Sequence, residues 1–248
     1  MGCWVLLTSP SVFLALTLSE HKQSTSGFVA HSQPVVFWSI CADFENHMKY
    51  AFVEIGTSDF DTEIQACEES ATGLSIEPVK RYLDNLPDKK NVKKINCAVS
   101  DYDGTIKIYY VTDANIKKHN LPEFVRGCSS VNKPHPILTQ VGFGANIPSD
   151  LINVDEVPVK TFQSLAAEYE VESIGFLKID TEGHDCIILR NYLDFCAKNP
   201  GVLAKKVLFE SNQLSTANDV WQIINRFMGL GYTLISTSRS ENTVVEQR

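Results

Sequence analysis

"YAFVEIGTSDFDT", residues 50 to 62, runs from an apolar stretch through a glycine turn towards a helical segment. The order strand, turn, helix is the first unit of an α/β chain, with Asp61 placed to cap a helix over 61–70. The same alternation recurs downstream. "GLSIE" (73–77) reads as a second strand, and Pro78 opens the helix "VKRYLDNL". "VKKINCAVS" (92–100) reads as one continuous third strand, and "DYDG" (101–104) turns into a hairpin strand, "TIKIYYV". Thr161 caps a helix through 171, "IGFLKID" (174–180) is a buried strand, and a helix follows from His184 to about Lys198. "KVLFE" (206–210), a helix from Thr216 to Gly229 and the antiparallel pair "YTLISTS" and "NTVVEQ" complete the pattern. The fold expected is a doubly wound, Rossmann-like sheet of seven strands, mostly parallel, with an antiparallel C-terminal strand.

Residues 112–157 lose all periodicity and collect prolines and glycines, which predicts an insertion over a binding cleft. Residues 1–46 read as a leader. Their apolar part, "WVLLTSPSVFLALTL" (4–18), is too short to span a bilayer comfortably, and it resembles the apolar region of a signal peptide but lacks a basic segment before it. The main domain is therefore expected over 47–248. Its place is the cytoplasm, or the secretory pathway if residues 1–19 act as a signal, with membrane association only if the apolar segment is retained. Seven scattered cysteines without a C-x-x-C pair argue for free thiols and against a zinc site. A net charge of -8 without basic runs excludes an electrostatic footprint for nucleic acid.

In such sheets ligands bind beyond the carboxyl ends of the strands, where strand order reverses. Glu54 with Gly56, Glu77, Asp101, Asp180 with Glu182, and Glu210 stand at those ends. A dinucleotide fingerprint needs three glycines so that a pyrophosphate can approach the backbone. Here Ser58 and Phe60 fill the second and third positions, and Asp59 and Asp61 would repel phosphate. A cofactor with a cationic sulfonium and no phosphate has the opposite requirement, which points to S-adenosylmethionine. Glu77, about 20 residues beyond the glycine, is where an acid hydrogen-bonds the ribose of an adenosine ligand. "LKIDTEGHD" (177–185) crowds Lys178, Asp180, Glu182, His184 and Asp185 around Gly183, a grouping that tunes side chains for proton transfer. The same acids can also be read as helix N-terminal charges facing the dipole, with His184 simply exposed.

The stretches "VEIGTSDFDT", "SIEP", "CAVSDYDG", Ser129-Ser130, "VPVKTFQSL", "LKIDTEGHD" and "LFES", in that order from about Phe52 to Glu210, resemble FkbM-type methyltransferases of the class I S-adenosylmethionine-dependent superfamily. Two departures stand out. Asp185 replaces the family's final glutamate, and Gly56-Thr57-Ser58-Asp59-Phe60 replaces its G-A-N-x-G. The resemblance implies methyl transfer to a hydroxyl of a sugar or other small molecule. Glu54, Gly56, Ser58 and Glu77 would contact the cofactor, with Ser100 and Asp101 near the adenine; Asp180, Glu182 and His184 would face the methyl group or the acceptor. Asp180 or His184 would take the acceptor's proton. Two rival readings stay open: a metal-assisted O-methyltransferase using Asp180, Glu182 and Glu210, and a ligand-binding domain without chemistry.

Overall fold

In the computed structural model, residues 48–131, 133–140 and 146–248 are described; the expected leader, its apolar stretch, and Gly142 and Gly144 of the insertion lie outside them. The first strand, β1 (Tyr50–Ile55), is buried along its whole length. It is flanked by β2 (Gly73–Ile76) and by β8 (Ile174–Ile179), both parallel to it. β3 (Val92–Ile95) extends the sheet beyond β2, and β9 (Lys206–Glu210) extends it beyond β8. The last two strands, β10 (Tyr232–Thr237) and β11 (Asn242–Gln247), give the order β10-β11-β9-β8-β1-β2-β3, with β11 antiparallel to both neighbours. The chain is thus α/β with a mixed seven-stranded sheet, mostly parallel. Strand order reverses between β1 and β8.

Side chains alternate across this sheet with the two-residue period of extended backbone. Val53, Ile55, Leu177 and Ile179 face one core, built with α4 (Phe162–Glu168), α5 (Asp185–Cys196) and α6 (Ala217–Gly229). Phe52 and Phe176 face the other, with Ile64 of α1 (Glu63–Ala66) and Leu83 of α2 (Lys80–Asn85). Thr161, His184 and Thr216 sit at the helix starts that the sequence predicts. At α1 the cap is Thr62, which forms a reciprocal capping box with Gln65; Asp61 has a φ of 54° and belongs to the preceding turn.

Two expectations require correction. Residues 92–100 are two strands, because Asn96 leaves the sheet and its amide donates to the carbonyls of Glu77 and Pro78, both at 2.9 Å. The second piece, β4 (Ala98–Ser100), enters a separate four-stranded sheet with β5 (Gly104–Tyr110), β6 (Ser130–Val131) and β7 (Asn153–Thr161), in the order β4-β7-β5-β6. Strand β5 (Gly104–Tyr110) is no hairpin partner of β4, since β7 (Asn153–Thr161) lies between them. The aperiodic segment also holds more order than its sequence suggests. It contains α3 (Asp113–Lys118), capped by Thr112, a 3-10 turn over Glu123–Gly127, the short strand β6 (Ser130–Val131), and a small core of Val111, Ile116, Val125, Leu138 and Leu151. β7 was hidden by its acids and by Pro158; pairing with β5 along its length overrides that local preference.

Five thiols, Cys67, Cys97, Cys128, Cys186 and Cys196, are free, and all but Cys128 are buried. Among the described residues no helix is long and apolar enough to cross a membrane.

Candidate functional site

The reversal of strand order opens a cleft at the carboxyl ends of β1, β2 and β8. Past β1 the backbone turns at Gly56 with a φ of 80°. A β-carbon there would stand 1.9 Å from the carbonyl oxygen of Asp180, so the glycine is required by the meeting of two strand ends. Glu77, just beyond β2, supports the turn from below. Its Oε2 accepts from the amides of Thr57 at 3.1 Å and Ser58 at 2.8 Å, and its Oε1 from the amide of Val79 at 2.8 Å. Burial pushes this carboxyl up to about 7 against the pull of those amides. A carboxylate has about four lone-pair sites, so Glu77 keeps one for a further donor.

Glu54 has a different position from the one its sequence neighbourhood suggests. It is fully buried, and both its oxygens accept from the Glu63 amide, at 3.1 and 3.0 Å. It also receives the Lys178 ammonium at 3.0 Å, while the same ammonium donates to the Asp61 carbonyl at 2.6 Å. Burial works against the Lys178 charge, but the Glu54 carboxylate outweighs it and raises its pKa.

At the end of β8 the turn Asp180-Thr181-Glu182-Gly183 places Glu182 at φ 52° and Gly183 at φ 94°. A left-handed glutamate is uncommon and costs about 1 kcal/mol or more, which neighbouring contacts must offset. Asp185, fully buried at the head of α5, supplies those contacts. It accepts from the Thr181 amide at 3.3 Å, the Thr181 hydroxyl at 2.8 Å and the Glu210 amide at 3.0 Å, lacing the turn to β9. Burial, and then the charge of Glu182, pushes Asp180 up to about 6. Glu210 is driven further, to about 10, by burial and three neighbouring acids, so it holds a proton at neutral pH. One oxygen each of Asp180, Glu182 and Glu210 lie within 4.8 Å of one another.

His184 is buried, and its Nε2 lies 2.9 Å from Ser100 Oγ. Burial lowers its pKa, with Asp101 acting in the opposite direction. The insertion closes over the other side. Arg126 Nε lies 3.1 Å from Asp59, and its guanidinium stacks 5.0 Å from the centre of the Phe60 ring. His135 Nε2 lies 3.0 Å from Glu182. Atoms of Cys128, His135 and Glu182 also cluster, but His135 Nδ1 accepts from the Ile137 amide at 3.1 Å. The proton of a neutral ring therefore sits on Nε2, on the side of Glu182, which makes that nitrogen unsuited to a metal.

The cleft encloses about 330 Å³, within the range of small-molecule sites. Gly56, Ser58, Glu77, Asp180, Glu182 and His184 lie on its wall. Glu54, Ser100 and Asp101 do not: Glu54 is beneath the turn, and Ser100 contacts His184. Asp59 faces Arg126 and the Asn85 amide at 2.8 Å, so only Asp61 of that pair lines the cleft. Among the insertion's basic side chains, Arg126 lies against Asp59 outside the cleft, His135 against Glu182 on its wall, Lys133 is exposed, and His119 lies 3.5 Å from Asp150. The sequence reading missed the apolar wall of Cys97, Ala98 and Val99, which the break after β3 turns inward, and Phe124 and Val131 from the insertion. The length of the aperiodic segment was the only sequence signal for the latter.

A family model described as the methyltransferase FkbM domain matches residues 51–233. No curated protein and no solved structure matches the chain.

The buried pair gives a stability test. Glu54→Gln and Lys178→Met should each lower unfolding free energy by about 3–5 kcal/mol in urea titrations, the usual cost of stranding one buried partner. The double variant should recover part of that loss.

Proposed function

The chain belongs to the FkbM methyltransferase domain family, and on that premise we propose that it transfers a methyl group from S-adenosylmethionine to a hydroxyl of a sugar or other small molecule. The observation that carries this reading is the charge of the cleft. Asp61, Glu77, Asp180 and Glu182 line it, and the one ammonium among its described residues, that of Lys178, is committed to Glu54. Such a wall favours a cationic ligand and disfavours a pyrophosphate. The strand reversal between β1 and β8 supports a Rossmann-like, doubly wound arrangement beneath it.

The bound cofactor would supply an electrophilic methyl on a sulfonium. Around it Glu77, with one acceptor site left, would take a ribose hydroxyl, and Gly56 and Ser58 would pass close to the cofactor. Asp180, Glu182 and His184 would face the acceptor, holding its oxygen in line. As the new oxygen–carbon bond forms, the hydroxyl proton passes to Asp180 or His184. Both are mostly unprotonated at neutral pH, since burial raises Asp180 only to about 6 and shifts His184 down.

A metal-assisted variant is supported by the convergence of Asp180, Glu182 and Glu210 oxygens within 4.8 Å. A divalent cation there would displace the Glu210 proton and could orient the acceptor oxygen. Abolition of turnover by EDTA, reversed by Mg²⁺, would favour this variant; insensitivity would dismiss it.

Calorimetry should detect binding of S-adenosylmethionine and S-adenosylhomocysteine, weakened about tenfold or more in Glu77→Ala, the loss of a charge-assisted hydrogen bond. Absence of heat with both ligands would instead support a binding domain without this chemistry. For transfer of labelled methyl onto pooled glycans and small metabolites, kcat/KM should fall about tenfold per pH unit on acidification below about 6, as the base becomes protonated. A profile flat from pH 8 to 5 (about three units) would remove Asp180 as the base.

A further inference from the structure

Ser100 ends β4 and is 1% exposed, and its hydroxyl meets two groups: His184 Nε2 at 2.9 Å and Asp101 Oδ1 at 3.1 Å. A hydroxyl has a single proton to donate, and a carboxylate can only accept. If the Ser100 proton pointed at His184, the contact with Asp101 would join two oxygen acceptors with no hydrogen between them. If it points at Asp101, both contacts are hydrogen bonds, and the Ser100 oxygen must then receive a proton from His184. That fixes Nε2 as the protonated nitrogen of the neutral ring, leaving Nδ1 with the lone pair.

The remaining nitrogen is uncommitted. His184 occupies the N-cap position of α5 but makes no side-chain cap bond, and Nδ1 has no hydrogen-bond partner among the described residues. The ring also belongs to the cleft wall, alongside Asp180 and Glu182.

We propose that Ser100 and Asp101 are positioning residues: the chain Asp101···Ser100···His184 locks the imidazole in the Nε2–H tautomer and leaves Nδ1 to receive the acceptor's proton. The use of Nδ1 as base rests on the methyl-transfer reading; the tautomer does not. The proton balance is closed. The acceptor's O–H bond breaks, its proton binds Nδ1, and the resulting imidazolium keeps its Nε2 proton on Ser100, with Asp101 facing the new charge through one intervening oxygen. Ser100 and Asp101 thereby act through His184 and need not touch the cofactor, in contrast to the adenine contacts that the resemblance implies for them.

The test is a two-bond ¹H–¹⁵N correlation spectrum of histidine-labelled protein at neutral pH, with His184 assigned by the peaks lost in His184→Ala. The wild type should show His184 protonated on Nε2. Asp101→Asn places an amide donor where only an acceptor stood, so the chain can run backwards, and His184 should move towards the Nδ1–H form. Ser100→Ala should give a mixture of tautomers. A wild-type ring protonated on Nδ1 would overturn the proposal without reference to any activity, as would a tautomer unchanged in both variants. Turnover is the separate arm. With tautomers as expected, a loss of kcat of about tenfold or more in Asp101→Asn at unchanged KM supports the catalytic use of Nδ1. Wild-type turnover in folded His184→Ala would assign the proton to another group and sink that use, while leaving methyl transfer itself intact.

Discussion

The buried charge pair between Glu54 and Lys178 is the constraint on which the site's geometry rests. The two residues are register partners on adjacent parallel strands, so the pair lies across the point where strand order reverses. The glutamate also holds the first amide of α1, and the lysine holds the carbonyl of Asp61. One ion pair therefore fixes β1, β8 and the helix end of the segment that leads from the glycine turn into the first helix. Ion pairs in such surroundings recover their desolvation cost best when further hydrogen bonds serve the remaining lone pairs and protons. Here the carboxylate accepts three contacts and the ammonium donates two, one of them beyond the pair itself.

The second sheet turns that frame into a cleft. Because Asn96 breaks the third strand, the chain leaves the main sheet at the level of Glu77 and runs into β4, whose first residues form an apolar wall opposite the acids. The insertion then returns over the top and is held at two places, by Arg126 on Asp59 and by His135 on Glu182. The second of these touches an acid of the cleft wall, and the first lies outside it. The insertion therefore shapes the cleft from two anchor points.

Most of the main sheet was legible because its central strands are short apolar runs and two of the longer helices start with a capping threonine that local sequence displays, Thr161 and Thr216. The carboxylates at strand ends were legible for the same reason, being one or two residues past an apolar run. Their individual duties were not. Glu54 and Glu77 look alike in sequence, yet one is consumed by an ammonium and the other by backbone amides, because the deciding partners lie 124 and about 20 residues away. The second sheet escaped notice because β7 is made by pairing on both sides and not by its own composition, and the contact of Ser100 with His184 spans 84 residues.

The position of β11 has a consequence for how the molecule is assembled. It follows β10 in the chain but lies between β10 and β9, and both of its ladders are antiparallel. During synthesis β10 emerges with no strand to join, since the slot beside β9 belongs to residues not yet made. Until the last of them leaves the ribosome, β9 presents a bare edge and α6 can only shield one face of it. The segment from Asn242 to Gln247 therefore acts as the closing stitch of the sheet, the piece that joins β10 to the rest.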